Sequence, residues 1–391
     1  MRLAVIAHAL KAGGGVSVGQ NLMRALDHAA PHHQYLFVVP SETGYERLDL
    51  RSEDPRIIVY RARLGVLGRW MFDELVLPGL IREFHPDVVL ALGNRGMTRP
   101  PCPQAVLCQN AHLFYPRRHF GYETLVNRLI SRYNSWKLSQ SLRRSDLLLC
   151  QTSVAAERLK AMYGYQGTIS VMPNAISVNA IGDHVCPGLP SALEGHEDKF
   201  KVLCLSRYYP HKNLESIVEM FRRYGAELKD VLVIMTIAAS DHPGARRLLR
   251  SIVDNGLSDK FCLVGPLRQA DLEQYYRHSH ALLLPTLLES FTGTYLEAMA
   301  WECPIVTSDL DFARNICGDA AQYFNPWDVE SMKNAVVQLK GNPEHAASLV
   351  AMGRRRLLST HTTWDEIARS LLVQLEALMA KPCVLGRWGW A

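Results

Sequence analysis

The sequence predicts an α/β protein made of two doubly wound parallel sheets. Short continuous apolar runs alternate with helical patterns along most of the chain, which is typical of strands buried on both faces of a parallel sheet. The alternation is interrupted from Ala180 to Lys199, a stretch that contains Gly, Pro and acidic residues, and it then restarts. A chain of 391 residues is too long for one ordinary domain and long enough for two.

The first half contains strand-like runs separated by helical patterns at 17–27, 70–84, 122–142 and 153–163. The runs in chain order are RLAVIAH, YLFVVP, RIIVYR, DVVLAL, QAVLCQ, DLLLCQT and TISVMPN. Parallel strands joined by helices predict a Rossmann-like domain, to which we assign residues 1–180.

The second half repeats this pattern after a linker that we place at 181–199. Its strands are predicted at KVLCLSR, VLVIMTI, FCLVGP, HALLLPT and PIVTSD, and its helices from about 213, at 242–255, at 270–277 and from about 293. We assign residues 200–362 to this second Rossmann-like domain and residues 363–391 to a C-terminal helix and tail. Two such domains facing each other leave an interdomain cleft at the carboxyl ends of both sheets, where ligands of these folds bind.

The composition, with 48% hydrophobic and 21% charged residues, is that of a soluble globular protein. The nine cysteines show no C-x-x-C spacing, which favours a reducing compartment. The N-terminal run MRLAVIAHALKAGGG lacks a longer apolar region and a cleavage site, so it predicts a buried strand rather than a signal peptide. The sequence contains no apolar run of 18 residues, so it predicts no membrane span. We expect a cytoplasmic protein without a nucleic-acid partner.

A basic stretch lies between His112 and Ser145, where the single acid is Glu123. Its cations are Arg117, Arg118, Arg128, Arg132, Lys137, Arg143 and Arg144. Two interpretations stay open. The stretch is a solvated helix face, or it contacts an acidic substrate or the anionic inner face of a membrane.

Three glycines at 13–15 separate the first strand from the first helix. Glycines let a backbone approach a ligand closely, and a helix N-terminus favours an anion or a hydroxyl. The glycine spacing does not match G-x-G-x-x-G, and no acidic residue clearly ends the second strand, so a nicotinamide dehydrogenase is disfavoured. A flexible turn without a ligand is the alternative.

Two cations stand on one strand-to-helix loop in LCLSRYYPHKNLESIV, Arg207 just after the strand and Lys212 five residues later. An arginine fork and a lysine point charge beside a helix N-terminus suit a diphosphate. The P-loop pattern G-x-x-x-x-G-K-[ST] does not occur, which excludes a P-loop nucleotidase. Surface cations without a ligand are the alternative.

Two carboxylates flank a bend in PTLLESFTGTYLEAMAWECP. Glu289 follows the apolar strand HALLLPT, and Glu297 lies about a turn into the next helix. Ionised carboxylates accept hydrogen bonds, so they suit the hydroxyls of a sugar or ribose. Carboxylates near a helix start also complement the helix dipole without any ligand.

The segment ESFTGTYLEAMAWECPIVTSD resembles the E-x7-E element of the retaining family-4 glycosyltransferases of GT-B fold, whose usual form is E-G-F-G-x-P-x-x-E-A-M-A followed by a strand. LSRYYPHKNLE resembles the family's S/G-R-x-x-x-x-K-N segment, and GGGVSV its N-terminal glycine loop. VMPNAI and FCLVGPL also match family segments in the right order. The resemblance covers nearly the whole chain.

This resemblance implies a role for each of the four charged residues. Arg207 and Lys212 would bind the donor diphosphate, Glu297 the ribose hydroxyls and Glu289 the hydroxyls of the transferred sugar. The donor would be a nucleoside-diphosphate sugar of the UDP or GDP type, with no cofactor and no metal. The first domain would lie on the acceptor side, the second would bind the nucleotide sugar, and the C-terminal helix would pack back across both domains.

The bend between the two glutamates would contact the donor as well. The backbone N–H groups of Phe291, Thr292 and Gly293 would lie along the sugar and the phosphates. Ser290, Thr292 and Thr294 replace residues that are often Gly, Gly and Pro in the family, and they add hydroxyls beside the sugar. This departure leaves the donor preference of the family in doubt for this chain.

Further positions follow from the resemblance. Gly265 and Leu267 would border the nucleobase, and Gly14 and Gly15 would come near the phosphates from the opposite domain. The family has a histidine on a first-domain loop. His112 in LCQNAHLFY is the candidate, Asn110 is its competitor, and a core or cap histidine is a further alternative, since the usual sequence context is absent.

Asp309 and Asp311 in SDLDFAR have the D-x-D spacing of metal sites in another glycosyltransferase fold. They follow a strand and precede a helix, so we interpret them as helix capping. No His or Cys cluster has metal-ligand spacing.

The function expected from these features is retaining glycosyl transfer to a saccharide or lipid-linked acceptor, in bacterial polysaccharide or lipopolysaccharide synthesis. Two alternatives stay open. The first is a sugar-nucleotide-binding protein of GT-B shape that has lost catalysis, and the second is a sugar-nucleotide epimerase. An epimerase would not be expected to carry the E-x7-E element.

Overall fold

A computed structural model describes residues 1–11, 13–61, 65–120, 124–175, 188–360 and 362–380. The part of the predicted linker at 181–187 and the tail after residue 380 lie outside these ranges. The chain divides into two compact units. Unit 1 contains the described residues of Met1–Phe114, Val126–Ala175 and the chain from Thr362, and unit 2 contains those of Tyr115–Leu125 and Ile176–His361.

The described strands alternate with helices as the sequence predicts. The strands are β1 (Arg2–Ile6), β2 (Gln34–Pro40), β3 (Arg56–Tyr60), β4 (Val88–Ala91), β5 (Gln104–Cys108), β6 (Leu147–Cys150), β7 (Thr168–Val171), β8 (Phe200–Cys204), β9 (Val231–Met235), β10 (Phe261–Leu263), β11 (Ala281–Leu284), β12 (Ile305–Ser308) and β13 (Ala321–Phe324). The α-helices are α1 (Gly14–Ala29), α2 (Gly65–Met71), α3 (Leu77–Phe84), α4 (Leu125–Leu142), α5 (Ser153–Tyr163), α6 (Glu215–Tyr224), α7 (Pro243–Asp254), α8 (Leu272–Arg277), α9 (Gly293–Ala300), α10 (Asp311–Cys317), α11 (Val329–Gly341), α12 (Pro343–Thr360) and α13 (Trp364–Met379). A π-helical stretch, Phe72–Val76, connects α2 to α3.

Each unit contains one parallel sheet. The strand order is β3-β2-β1-β4-β5-β6-β7 in unit 1 and β10-β9-β8-β11-β12-β13 in unit 2, and every pairing is parallel. The chain winds to one side of β1 and then to the other side from β4. The same change of direction occurs between β8 and β11. The prediction of two doubly wound parallel sheets is therefore confirmed.

Alternating residues of the strands pack on opposite faces of each sheet, which explains their continuous apolar sequences. In β1, Leu3 and Val5 belong to one core cluster and Ala4 and Ile6 to another, and all four are buried. Burial on both faces removes the polar positions that a half-exposed strand would have. The apolar runs of this sequence are thus a direct consequence of covering both sheet faces with helices.

The C-terminal helix α13 packs on unit 1, against α1. Its apolar face, including Leu371 and Leu375, joins the core cluster that contains Leu3 and Val5. Thr363 and Glu366 form a capping box that satisfies backbone N–H groups at the start of this helix. The contact explains why residues far apart in sequence fold into one unit. That the helix also reaches the second domain stays a prediction.

Tyr115–Phe120 groups with unit 2, although the chain before it and the chain from Val126 belong to unit 1. The sequence did not indicate this exchange. The assignment of residues 1–180 to a single first domain therefore differs from the observed grouping. No helix of the described residues is long and apolar enough to cross a membrane.

Candidate active site

The carboxyl ends of β8 and β11 are neighbours in the sheet of unit 2, at the point where the winding direction changes. Ligands of doubly wound folds bind at such a point. The loop after β8 carries Arg207 and Lys212, and the loop after β11 carries Glu289. Lys212 Nζ lies 2.5 Å from Glu289 Oε1. The structure therefore brings together two residues that the sequence placed on separate loops.

The backbones of these two loops are also joined. Leu287 N–H donates to the His211 carbonyl over 2.8 Å, and Thr286 Oγ1 lies 3.4 Å from the same oxygen. Lys212 is the last residue of a 3-10 turn, and Asn213 follows in the left-handed region with φ of 56°. These contacts fix Lys212 against Glu289 before any ligand arrives. A site held by backbone bonds is preorganised for binding.

Arg207 is held by an aspartate that the sequence analysis did not single out. Its Nη2 lies 3.3 Å from Oδ1 of Asp241, whose side chain is 4% exposed. Asp241 Oδ2 also accepts from the N–H of Ala238 over 3.0 Å. The Arg207 side chain is 56% exposed, so donors of its guanidinium remain accessible to an anion. Asp241 therefore acts as a positioning residue for Arg207.

Glu297 lies in the second turn of α9 and is partly buried. The Tyr276 hydroxyl donates to its Oε2 over 3.0 Å. Burial raises the pKa of Glu297, while the hydrogen bonds from Tyr276 and Gln269 act in the opposite direction. A carboxyl group that already accepts a hydrogen bond from a neighbouring hydroxyl, and whose pKa is raised, suits the recognition of further hydroxyl groups.

The bend between the two glutamates, which the sequence predicts to contact the donor, runs from Glu289 to the start of α9. Ser290, Phe291 and Gly293 are partly exposed, while Thr292 is buried. Thr292 is the N-cap residue, and its side chain makes no cap hydrogen bond. Its Oγ1 donates instead to Thr294 Oγ1 over 3.2 Å. The N-terminus of α9 therefore lacks a capping side chain, which is the condition under which a helix N-terminus accepts an anion.

Gly265 and Leu267 follow β10, two strands away from β8 in the same sheet. Gly265 has φ of 69°, and a Cβ added there would meet no atom within 4 Å. Glycine is therefore favoured at this position because the backbone is in the left-handed region, and not because a side chain would clash with its neighbours. Leu267 is partly exposed. Both residues are in unit 2, and a role beside the base stays a prediction.

The first-domain candidates all lie in unit 1. Asn110 caps a 3-10 turn by accepting from His112 N–H over 3.1 Å, and His112 Nδ1 lies 3.3 Å from the same oxygen. Burial lowers the pKa of His112 to about 4, so its ring is neutral at pH 7. A Cβ added to Gly14 would meet nothing within 4 Å. A Cβ added to Gly15 would lie at ordinary contact distances from Leu10 and Gln109. Packing therefore does not require either glycine.

Sequence reasoning missed the residues that support the Glu289 loop from Tyr115–Phe120. His119 Nδ1 lies 2.8 Å from the carbonyl oxygen of Leu287, and the Tyr115 hydroxyl donates to Asp311 Oδ1 over 2.8 Å. Arg118 Nε donates to His119 Nε2 over 3.3 Å, so Nδ1 carries the proton that Leu287 accepts. The partners are 168 and 196 residues apart. No local pattern could have revealed them.

The D-x-D pair is used structurally. Asp309 forms a bidentate pair with Arg314 at 2.7 and 2.9 Å, and Asp311 Oδ1 accepts from the N–H of Phe312. Leu310, not an aspartate, is the N-cap residue of α10. Neither aspartate therefore caps α10, and the capping interpretation is wrong; Asp311 is instead the first residue of the helix. Among the described residues no group of three or more His, Cys, Asp and Glu could hold a metal ion.

Of the four charged residues that the sequence predicts, the described contacts join Lys212 to Glu289, whereas Arg207 pairs with Asp241 and Glu297 with Tyr276. A family profile described as Glycosyl transferases group 1 matches residues 199–342, and one described as Glycosyltransferase Family 4 matches residues 12–180. The chain belongs to glycosyltransferase family 4. This glycosyltransferase has the GT-B fold, in agreement with its two parallel sheets. Both expectations from the sequence are confirmed.

Relatives of this glycosyltransferase include O-antigen chain mannosyltransferase RfbU of Salmonella typhimurium, which is 22% identical over 54% of this chain and 56% of RfbU. Serotype-specific mannosyltransferase WbdA of Escherichia coli is 28% identical over 37% of this chain and 18% of WbdA. The matched region thus spans about half of the first relative and less of the second.

Two solved structures show the same fold along the whole chain. Sucrose-phosphate synthase (tll1590) of Thermosynechococcus elongatus aligns with a TM-score of 0.74 and 16% identity, covering 98% of this chain and 100% of that one. Anabaena Alr3699/HepE in complex with UDP and glucose aligns with a TM-score of 0.71 and 14% identity, covering 96% and 100%.

Proposed function

We propose that this glycosyltransferase moves a sugar from a UDP or GDP sugar to a saccharide or lipid-linked acceptor during polysaccharide or lipopolysaccharide synthesis. The observation that carries the proposal is the Lys212–Glu289 pair at the point where the sheet of unit 2 changes winding direction. The names of RfbU and WbdA support a saccharide product, and HepE with UDP and glucose supports a uridine donor.

The charged groups of the site have separate tasks in this proposal. Glycosyl transfer passes through an oxocarbenium-like centre while a diphosphate departs. The negative charge that builds on the leaving group is stabilised by fixed cations, and Arg207 and Lys212 supply them. Lys212 has three donors, so it can hold Glu289 and a phosphate oxygen together. Glu289 orients the sugar hydroxyls, and Glu297 the ribose hydroxyls.

We propose further that the reaction retains the anomeric configuration and proceeds without a divalent metal. Retention follows the E-x7-E element of the family, with the acceptor hydroxyl entering on the face that the diphosphate leaves. Arg207 and Lys212 would take the place of a metal at the diphosphate. The anomer of the product, read by proton NMR, tests the first statement. Unchanged turnover after EDTA treatment is the expected result for the second.

The main experiment screens UDP, GDP and ADP sugars by thermal shift and then offers the best donor to saccharide and lipid-linked acceptors. Transfer of the sugar supports the proposal. Donor binding without hydrolysis or transfer under any condition would instead support a binding protein that has lost catalysis. Conversion of the donor to another sugar nucleotide without an acceptor would support an epimerase.

We also propose peripheral contact with an anionic membrane at the cytoplasmic face, through α4. Val126, Leu129 and Ile130 are exposed on neighbouring turns of this helix, with exposed fractions of 64%, 69% and 40%. The exposed Arg128 lies between them in sequence, the exposed Arg132 follows them, and the helix contains no acidic residue. Apolar side chains beside cations suit an interface with anionic lipid, where each cation near the surface contributes about 1 kcal/mol.

A further inference from the structure

An open polar groove lies beside β13, which is an edge strand of the sheet in unit 2. Its walls come from β13 and from one face of α11. The empty volume of the groove, which is open to solvent, is about 720 Å³, and ligand sites usually have about 300–1,000 Å³. None of the four charged residues of the candidate active site lines it. The groove is therefore a separate surface, which the transfer chemistry does not use.

The side chains that line the groove suit hydroxyl groups. The amides of Gln322, Asn334 and Gln338 contain both donors and an acceptor, and the carboxylates of Asp328 and Glu330 accept hydrogen bonds. Gln322 Nε2 donates to Gln338 Oε1 over 3.3 Å, which joins the strand wall to the helix wall. No lysine or arginine of the described residues lines the groove. The lining therefore favours a neutral ligand rich in hydroxyl groups and repels an anionic one.

An exposed tryptophan stands at one end of this lining. Trp327 immediately precedes Asp328 in the chain, and it is 55% exposed. In the described part of unit 2 the exposed residues of the types Phe, Tyr and Trp are Trp327 and Tyr209, and both are on loops at the carboxyl end of the sheet. The faces of a hexose ring carry apolar, weakly positive C–H groups, which pack on the negative face of an indole. Trp327 therefore adds a surface for a sugar ring to the hydroxyl-binding groove.

The loop that carries Trp327 is bonded to the candidate active site. Asn213, which follows Lys212, donates from Nδ2 to the carbonyl oxygen of Pro326 over 3.1 Å. Trp327 is the next residue, and its ring lies edge to face with that of His119, with 5.7 Å between the centroids. His119 in turn supports the loop after β11. A chain of sugars that lies in the groove would thus extend towards the candidate active site.

We propose that this groove binds a neutral hexose chain, with one hexose packed on Trp327 and the hydroxyl groups of its neighbours bound by the amides and carboxylates of the groove. The proposal rests on the proposed transfer reaction and adds a second saccharide site to it. A glycan held there keeps its end close to the point of transfer, which raises the effective concentration of the acceptor. Oligosaccharide acceptors are therefore used at lower concentrations than monosaccharide acceptors.

The first test uses the full chain labelled with ¹⁵N-tryptophan. It is titrated with mannotriose and maltotriose, which are neutral, and with trigalacturonate, which is anionic. Trp327→Phe and Trp136→Phe identify the two indole N–H signals by their loss. We expect a neutral trisaccharide to shift the Trp327 signal, and trigalacturonate to leave it in place because Asp328 and Glu330 repel it. Trp136, on α4, is also 55% exposed, and its signal should not move.

Three results of this titration overturn the proposal. They are an unmoved Trp327 signal with both neutral trisaccharides, equal shifts at Trp327 and Trp136, and equal shifts of Trp327 by neutral and anionic trisaccharides. A shift confined to Trp327 and to a neutral trisaccharide supports it.

Calorimetry on substituted proteins locates the bound trisaccharide. Trp327→Ala should weaken its binding about tenfold. Asn334→Ala should weaken it about fivefold, and because position 334 is in the second turn of α11, this loss separates the groove from the candidate active site. Asn255→Ala, an exposed asparagine after α7, is the matched control and should bind like the parent. Parental affinity of Asn334→Ala and Trp327→Ala overturns the proposal.

Transfer assays distinguish this proposal from the proposed function. In Trp327→Ala and Asn334→Ala, KM for the trisaccharide acceptor should rise about five- to tenfold relative to KM for a monosaccharide acceptor. Equal changes for both acceptors reject the groove alone. Trisaccharide binding at Trp327 without transfer from any donor rejects the proposed function and retains the saccharide site.

Discussion

Lys212 Nζ lies 2.5 Å from Glu289 Oε1, and the two side chains are 17% and 11% exposed. The pair joins the loops after β8 and β11, which are 77 residues apart in sequence. Removing one partner would leave the other charge partly buried without its counter-ion. The residues proposed for catalysis are therefore coupled to the stability of unit 2, and variants must separate these two effects.

Lys212→Ala is expected to lower the free energy of unfolding by about 1–3 kcal/mol, because the Glu289 carboxylate loses its partner. Turnover should fall about a hundredfold or more. The double variant, which combines Lys212→Ala with Glu289→Ala, should recover much of the stability that Lys212→Ala loses but none of the turnover. Denaturant unfolding of the four proteins in this cycle measures the coupling. Full activity of folded Lys212→Ala would contradict the assignment.

Arg207→Ala should lower turnover about a hundredfold with less than about 1 kcal/mol change in the free energy of unfolding. The side chain is 56% exposed, and Asp241 keeps its backbone partner at Ala238. Arg223→Ala, which removes another exposed arginine paired with an acid in unit 2, is the control and should leave turnover unchanged. Initial rates with the identified donor provide the measurement.

Glu297→Gln should make the protein more stable at pH 7 and weaken UDP or GDP binding about tenfold. Burial raises the pKa of Glu297 in the folded state. The wild-type carboxyl therefore contributes stability below its unfolded pKa and loses it as the pH rises through its folded pKa. The melting temperature of the variant should exceed that of the parent at pH 7 by a few degrees. The difference should vanish near pH 4.

The exposed Glu53→Gln, in the loop before β3, controls for the general loss of a negative charge. Its melting temperature should follow that of the parent at every pH. If Glu297→Gln also follows the parent throughout, ionisation of this carboxyl does not cost the folded state the stability that the raised pKa implies.

His119→Phe should destabilise unit 2 by about 1–3 kcal/mol, because the Leu287 carbonyl loses its donor. Glu289 is two residues further along the chain, so KM for the donor should rise as well. His119→Gln, which keeps an N–H donor, should retain part of the stability and part of the low KM for the donor. Tyr323→Phe also removes a side-chain bond to a carbonyl, that of Gly318, and should change stability without changing KM.

Leu129→Asp with Ile130→Asp should abolish flotation with vesicles that contain phosphatidylglycerol at low salt. Two charges on an interfacial apolar face oppose insertion and repel anionic lipid. Val253→Asp with Val373→Asp is the matched control, since these valines are 63% and 66% exposed elsewhere. Absence of binding by the parent protein would rule out the membrane proposal, and turnover on a soluble acceptor should be unaffected.

The sequence by itself determined the class of fold and predicted the residues of the candidate site. Central strands buried on both faces are continuously apolar, and β1 to β12 were recognisable as apolar runs. The ends of such runs drew attention to Arg207, Lys212 and Glu289, and Glu297 followed from the helix after Glu289. β13 and helices α11 and α12 were not assigned. The short, partly exposed strand Ala321–Phe324 shows no continuous apolar run, which explains why β13 was missed.

Only the tertiary structure decided which of these residues meet. The pairs Arg207–Asp241, Glu297–Tyr276 and His119–Leu287 join residues 34, 21 and 168 positions apart. Strand order decides such contacts, because it brings two carboxyl ends together irrespective of the length of chain between them. Local sequence patterns carry no information on these distances.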